Sequence, residues 1–451
     1  MRSHDLIIIG AGSGNSIIGP EHDAMDVAII ERGLFGGTCL NVGCIPSKMF
    51  VYAAEIAELA GHVGPKLGVH TTFEGADFPA IRDRVFGRID PIAAGGEEYR
   101  KSLENVTVYQ DSAVFVGPKE IEVGGETITA DQIVIAAGAR SWIPPIDGLE
   151  EVGYQTSDTI MRLDEMPKRL AVIGGGYIAT ELGNVFGMLG SEVTFILRSD
   201  LMLRNEDEAI SSAFTEAYKK KFDIRTMAGI SSMKREGDEI VIDLFPNHDE
   251  LRVDEVLVAT GRIPNGDELQ LAEHGYELDE NGYLVTDPQR RTNIDGVFAL
   301  GDITNPVQLK HVANHEARVV KHNLANPDDL IAVNHEFIPH AVFGHPQVAA
   351  VGMTERQAAV SGLDYTCHVQ HYASAAYGWA MEDTTSIVKL IMDSHTRKLI
   401  GAHICGPQAS SLIQQLIQGM VFGQTVDQMA TEQYYIHPAL PEVIEQALLE
   451  L

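Results

Sequence analysis

Leu6-Ile7-Ile8-Ile9-Gly10-Ala11-Gly12-Ser13-Gly14-Asn15 is the stretch that decides the fold. Four apolar residues read as a buried strand, and the glycine-rich run after them as the turn of a dinucleotide-binding βαβ unit. Gly10 permits the tight turn, and Gly12 lets the backbone approach a pyrophosphate. The N-terminus of the helix expected next favours that negative charge. Asn15 stands where a third glycine usually lets helix and strand pack closely, a departure for which Gly14 can compensate. Val27–Ile30 reads as the second strand. Glu31, roughly 20 residues beyond Gly10, is placed to accept a hydrogen bond from a ribose hydroxyl. The pattern returns at Leu170–Ile173, Gly174-Gly175-Gly176-Tyr177-Ile178-Ala179 and Val193–Leu197, with Ala179 in the third-glycine place. This second unit ends on Arg198, with Arg204 close behind, instead of an acid. Guanidinium binds phosphate through paired charge-assisted hydrogen bonds, so a 2′-phosphorylated nucleotide, NADPH over NADH, is expected here.

A chain of 451 residues exceeds the roughly 250–300 at which a single core stops growing, so several domains are expected. The texture divides it at Pro144-Pro145, after Ala259-Thr260-Gly261, and near 335, where the nucleotide patterns end and an α+β tail begins. The fold class is α/β, with two Rossmann-like dinucleotide-binding domains and a C-terminal α+β domain. The expected division is 1–148, 149–262, 263–334 and 335–451. With 33 Lys and Arg against 64 Asp and Glu, the formal net charge is −31. Such a surface repels phosphate backbones, which argues against nucleic-acid binding, and any anionic cofactor then needs a local basic site. No run of about 18 apolar residues predicts a membrane span. Met1-Arg2-Ser3-His4-Asp5 leads straight into the first strand and leaves no room for an export segment, so a cytoplasmic protein is expected.

Cys39 and Cys44 lie in Gly36-Gly37-Thr38-Cys39-Leu40-Asn41-Val42-Gly43-Cys44-Ile45-Pro46-Ser47-Lys48, just past the first turn. In a reducing compartment a close cysteine pair is catalytic or metal-binding more often than structural. Five residues of α-helix advance about 7.5 Å, and a disulfide needs Cα atoms within about 7 Å. The pair can bridge only if the helix is distorted between them, which Asn41 and Gly43 can supply. Zinc is the competing reading, although no second cysteine pair or convergent histidine pair accompanies it. Lys48 is a cation able to stabilise a thiolate or reduced-flavin charge, with Glu181 as a candidate partner. Cys367 and Cys405, in apolar strand-like contexts, read as buried small residues. Near the C-terminus, His437 can take and return protons near neutrality, and Glu442 can fix its tautomer.

These residues, in this order along essentially the whole chain, resemble the pyridine nucleotide–disulfide oxidoreductases with two dinucleotide folds. The most specific matches are the segment 36–48, Ala259-Thr260-Gly261-Arg262, Gly301-Asp302 and the pair His437 and Glu442. Further signatures are Gly12-Ser13-Gly14-Asn15-Ser16, the runs 49–54 and 85–91, Lys310 to Arg318 and Tyr377 to Asp383. They resemble the branch that reduces mycothiol disulfide. Where other members carry Thr-Pro after the Gly-Asp motif, this chain has Lys310-His311.

The resemblance implies FAD in the first fold, at Gly10, Gly12, Ser13, Gly14, Glu31, Gly37, Thr38, Cys39, Lys48, Gly138, Gly301 and Asp302. It implies NADPH in the second, at Gly174, Gly176, Tyr177, Ile178, Glu181, Arg198, Arg204 and Gly261, with Tyr177 as a ring covering the flavin when nicotinamide is absent. Cys44 would face the flavin, Cys39 would attack the substrate, and His437, oriented by Glu442, would protonate the leaving thiol. The tail would be a dimerisation domain and the protein a homodimer with shared active sites. No structural metal is expected. Lipoamide dehydrogenase or a glutathione-type reductase is the alternative. Arg198 and Arg204 oppose the former, and mycothiol, unlike anionic glutathione disulfide, carries no net charge for an acidic protein to repel. The chain ends without a cysteine pair, so electrons are expected to leave from Cys39.

Overall fold

The computed structural model describes residues 1–451, and the chain gathers into two compact units. The first comprises Met1–Ser47, Arg82–Trp142 and Gly261–His335. Its sheet runs, in spatial order, Val106–Tyr109, Val27–Ile30, Arg2–Ile9 and Glu126–Ile135. These strands are parallel, and Val297–Ala299 adds in parallel to the C-terminal half of Glu126–Ile135. The N-terminal half of that long strand continues into an antiparallel meander with Glu120–Val123 and Val114–Gly117. The continuous apolar runs follow from burial on both faces. Leu6 and Ile8 join one core cluster with Val27 and Ile29, whereas Ile7 and Ile9 join the opposite one with Ala28 and Ile30.

The first crossover departs from expectation. Between Arg2–Ile9 and Val27–Ile30 there is no α-helix, only two short 3-10 turns, Gly14–Ser16 and Pro20–His22. Gly19-Pro20 accounts for this: proline lacks the amide that would continue a helix, and glycine favours none. The third-glycine role has moved to Gly14, where a Cβ would lie 2.9 Å from the Ala136 Cβ and 3.0 Å from the Ile8 side chain. Asn15, free of that role, is held by the buried Arg100, which donates to its Oδ1 at 2.7 Å and its carbonyl at 2.8 Å.

The second unit comprises Lys48–Ile81, Ile143–Thr260 and Glu336–Leu451. Here the βαβ unit is complete. Asp223–Arg225, Glu192–Ile196, Arg169–Ile173 and Glu255–Val258 form a parallel sheet, with the 13-residue helix Tyr177–Leu189 as a crossover. A separate five-stranded antiparallel sheet runs His340–Val342, Val348–Gly352, Leu399–Cys405, Ile387–Asp393 and Tyr365–His371. Helices Ala409–Val421 and Pro441–Leu449 share its core through Leu412, Leu416, Val443 and Ile444. Cys405 is buried in this sheet as expected. Cys367 is not: it is half-buried, and its thiol donates to Glu355 Oε1 at 3.3 Å because its strand lies at the sheet's edge. No helix is long and apolar enough to cross a membrane.

A buried charge cluster fastens the helix Glu208–Lys219 to the antiparallel sheet. Lys389 donates to Asp207 Oδ1 at 2.8 Å and Glu355 Oε2 at 2.5 Å. Asp207 also caps the helix through Ala209 N at 3.0 Å and accepts from Glu355 N at 2.9 Å. Glu355 reaches solvent, but removing Lys389 leaves the Asp207 carboxylate buried without its cation. Lys389→Met is therefore expected to cost roughly 3 to 5 kcal/mol of unfolding free energy in urea titrations, whereas a loss below about 1 kcal/mol would show the cluster is solvated.

Candidate active site

The thiol segment is a broken helix. Gly37–Asn41 forms one short helix, Val42 leaves helical geometry at φ −142° and ψ 3°, and a second helix, Cys44–Glu58, starts at the next cysteine. Asn41 holds the first piece, its Nδ2 donating to the Leu34, Phe35 and Gly37 carbonyls at 3.2, 2.9 and 3.1 Å. At Gly43 the chain passes so close that a Cβ would lie 2.9 Å from the Thr38 carbonyl oxygen. The break brings the two sulfurs together as hydrogen-bonded thiols. The bond to Cys44 and burial push the Cys39 thiol above its ordinary range, while the charge of Lys310 acts in the opposite direction.

The same segment abuts the first glycine-rich turn, where a Cβ built on Gly12 would lie 3.6 Å from Gly37 Cα. Glu31 closes that turn, with Oε2 accepting from Ala11 N and Oε1 from Gly33 N, each at 2.8 Å. Each oxygen keeps a lone pair for a further donor. Ser13 Oγ accepts from Lys310 Nζ at 2.8 Å and donates to Asn314 Oδ1 at 3.2 Å. Asp302 follows Gly301, whose amide donates to the buried Glu316 at 2.6 Å. Glu316 is also in reach of Asn305 at 3.1 Å, His335 at 3.0 Å and Arg290 at 3.4 Å. Burial pushes the Asp302 carboxyl up against the opposing charges of Arg262 and Lys310, and no protein group hydrogen-bonds it. A secluded carboxylate without a protein donor fits a ligand that brings hydroxyls, such as the ribityl chain of a flavin. Gly138 lies in the left-handed region at φ 68° in the same unit.

The second turn opens onto the helix at Tyr177. Gly176 caps it in extended geometry, with nothing within 4 Å of where a Cβ would stand, which leaves room for a ligand's phosphates over the helix N-terminus. Gly174 makes the tight turn, Ile178 follows inside the helix, and Tyr177 is 43% exposed at its first position. Arg198 and Arg204 are exposed and make no ion pair, in a chain where carboxylates outnumber cations by 64 to 33. Gly261, at φ 138°, belongs to the first unit.

One ion pair and one histidine–carboxylate hydrogen bond complete the set, both in the second unit. Lys48, one helical turn past Cys44, binds Glu181 Oε2 at 2.6 Å and lies 4.7 Å from the centroid of the Phe343 ring. Glu181 is buried, and its other oxygen accepts from Phe343 N at 2.9 Å. His437 Nδ1 meets Glu442 Oε1 at 2.6 Å, and Glu442 Oε2 accepts from Ala439 N at 3.1 Å. The hydrogen bond to His437 holds the Glu442 carboxyl below its ordinary range. With Nδ1 tied to a carboxylate, Nε2 is the nitrogen left for chemistry. No group of three His, Cys, Asp or Glu is arranged to hold a metal, so the zinc reading of the cysteines gains no support from geometry. Sequence reasoning assigned no role to Lys310, Arg100 or Glu316. Only the replacement of Thr-Pro by Lys310-His311 marked one of them.

The pyridine nucleotide-disulphide oxidoreductase profile matches residues 4–317, and the dimerisation domain of that family matches 338–448. The chain is 46% identical to mycothione reductase of Mycobacterium tuberculosis over the whole of both proteins. It is 33% identical to mercuric reductase of Staphylococcus aureus, covering 99% of this chain and 82% of that one. Among solved structures, the Cu(II) complex of the HOCl-induced flavoprotein disulfide reductase RclA from Escherichia coli superposes over the full length of both chains, with a TM-score of 0.88 at 26% identity. The chain belongs to the pyridine nucleotide-disulphide oxidoreductase family, and carries that family's dimerisation domain.

Proposed function

We propose that this protein is a homodimeric, cytoplasmic flavoprotein disulfide reductase that uses NADPH and FAD to reduce mycothiol disulfide. The observation that carries the reaction class is the contact between Cys39 and Cys44 at the edge of the first nucleotide turn. The substrate assignment rests on the full-length 46% identity to a mycothione reductase. FAD would lie on Gly10, Gly12, Ser13, Glu31, Gly37, Thr38 and Asp302, and NADPH on Gly174, Gly176, Tyr177, Arg198 and Arg204. When bound, the nicotinamide and the flavin supply the two electrons that open the Cys39–Cys44 disulfide.

Cys39, as thiolate, then attacks one sulfur of the substrate. The substrate S–S bond breaks, a mixed disulfide forms on Cys39, and the departing thiolate takes a proton from His437 of the partner subunit. Cys44 next attacks the Cys39 sulfur, which releases the second thiol and restores the protein disulfide. One substrate disulfide and two protein thiols thus become two product thiols and one protein disulfide. Glu442 keeps His437 Nδ1 occupied so that Nε2 carries the proton. Lys48, fixed by Glu181, supplies positive charge one turn past Cys44. The exposed apolar side chains Val421, Phe422, Tyr434 and Ile436 of the dimerisation domain suit a surface covered by a second copy.

Turnover of mycothiol, glutathione and lipoamide disulfides with NADPH and NADH tests the assignment directly: mycothiol disulfide with NADPH is expected to be fastest, and a preference for lipoamide with NAD would refute it. Cys39→Ser is expected to retain flavin and lose disulfide reduction; full activity would remove Cys39 from the reaction. Replacing Arg198 and Arg204 by Ala is expected to raise the KM for NADPH by about tenfold or more and leave that for NADH nearly unchanged, since only the former carries the extra phosphate. His437→Ala is expected to slow disulfide turnover by roughly 100- to 10,000-fold, while stopped-flow flavin reduction by NADPH stays near wild type. Equal slowing of both steps would contradict its role as proton carrier.

A further inference from the structure

The first nucleotide turn lacks the device that normally neutralises a bound pyrophosphate. An α-helix starting at such a turn contributes about half a positive charge and several free amides. Here the strand is followed by a 3-10 turn of three residues, and no α-helix intervenes before the next strand. The second turn of the same chain keeps its 13-residue helix. A dianionic pyrophosphate at the first turn of a chain carrying −31 therefore faces a deficit of positive charge.

Lys310 stands at that deficit. It is the first residue of the 16-residue helix Lys310–Ala325, and its ammonium reaches the Ser13 hydroxyl at 2.8 Å, inside the turn itself. Asn314, one turn further along the same helix, accepts from Ser13 at 3.2 Å, so two side chains of this helix grip the turn. A hydroxyl takes one of the three ammonium donors and none of its charge, and no carboxylate stands within ion-pair distance of Lys310, although Asp302 feels its charge. Of the other cations near the turn, Arg32 is neutralised by Glu268 at 2.6 Å, whereas Arg100 and Arg262 have donors, though not their charge, taken by Asn15 and the Ala139 carbonyl.

We propose that Lys310 replaces the missing helix dipole at the first turn and binds the pyrophosphate of the dinucleotide held there. The proposal rests on the assignment of FAD to this turn. Lys310 has two donors left for phosphate oxygens, and Ser13 with Asn314 holds the ammonium in place against the flexibility of its stem. It also follows that the departure at Lys310 and the shortened first crossover belong together: a chain with a full helix after Gly14 would gain less from a lysine at this position.

The test uses the full-length protein. FAD content is measured on the wild-type holoenzyme as purified, and FAD affinity is measured by fluorescence over a range of salt concentrations for wild type, Lys310→Met, Lys310→Gln and Lys310→Arg. The Met and Gln variants are expected to bind FAD about tenfold or more weakly at low salt, with a flatter salt dependence, and the Arg variant to stay close to wild type. Gln keeps the polarity and most of the length of the side chain, which guards against a misfolded Met variant. Unchanged FAD affinity in the Met and Gln variants would overturn the proposal, as would a loss that keeps the wild-type salt dependence, because that signals damage to the fold instead of a lost charge. Unchanged affinity together with a shifted titration of the Cys39 thiol would assign the ammonium to the thiol instead. A wild-type protein that takes up no FAD would remove the flavin assignment itself, an outcome distinct from a wild type that binds FAD with no need of Lys310.

Discussion

The close approach of Gly12 to Gly37 is the constraint on which the thiol chemistry of this protein depends. It sets the segment carrying Cys39 directly against the glycine-rich turn, with no side chain between the two backbones. A thiol pair is useful for electron transfer only where a nucleotide-borne donor can reach it. The broken helix at Val42 and Gly43 completes the arrangement, since an unbroken one would hold the sulfurs too far apart to exchange electrons as a disulfide. Asn41 stabilises the segment before the break by spending its amide on the Leu34, Phe35 and Gly37 carbonyls.

Electrostatics follow from the overall acidity. About half of the lysines and arginines of this chain are paired with carboxylates, so an unpaired one is informative where it stands beside a functional motif. Arg198, Arg204 and Lys310 are such cations, and each stands at a nucleotide turn. Lys48 and Lys389 show the other use of positive charge, in which a buried or half-buried ammonium is locked by acids and orders the chain around it. The two uses differ in what is left over: Lys389 is held between two acids and Lys48 is fixed by one, whereas Arg198 and Arg204 make no ion pair with any carboxylate.

Much of the architecture was legible in the sequence because it rests on local patterns. The apolar runs ending in glycine clusters mark strands that enter nucleotide turns, and the spacing of the cysteines with Asn41 and Gly43 between them anticipates the helix break. The pairing of Lys48 with Glu181 was also approachable, since both sit next to a motif. Two readings failed for physical reasons. The first crossover was expected to be helical from the strand–turn–helix pattern of its motif, but Gly19-Pro20 leaves too short a run for a helix to repay its nucleation. Cys367 was expected in the core, yet edge placement of its strand exposes it to Glu355. Arg100 and Glu316 were not visible at all, because their partners Asn15 and Gly301 lie 85 and 15 positions away and no local pattern announces the contact.

The sequence alone determined the family, the two nucleotide turns, the thiol pair and the histidine–glutamate pair, because each is a short motif whose chemistry is carried by neighbouring residues. The tertiary structure alone decided which charges remain available. Lys310 and Ser13 are 297 positions apart, and only folding shows that the ammonium ends on the turn that has lost its helix. Periodicity and motif spacing report what a segment does with its neighbours. The placement of an unpaired charge depends on every carboxylate within reach of it, and that is a property of the folded chain.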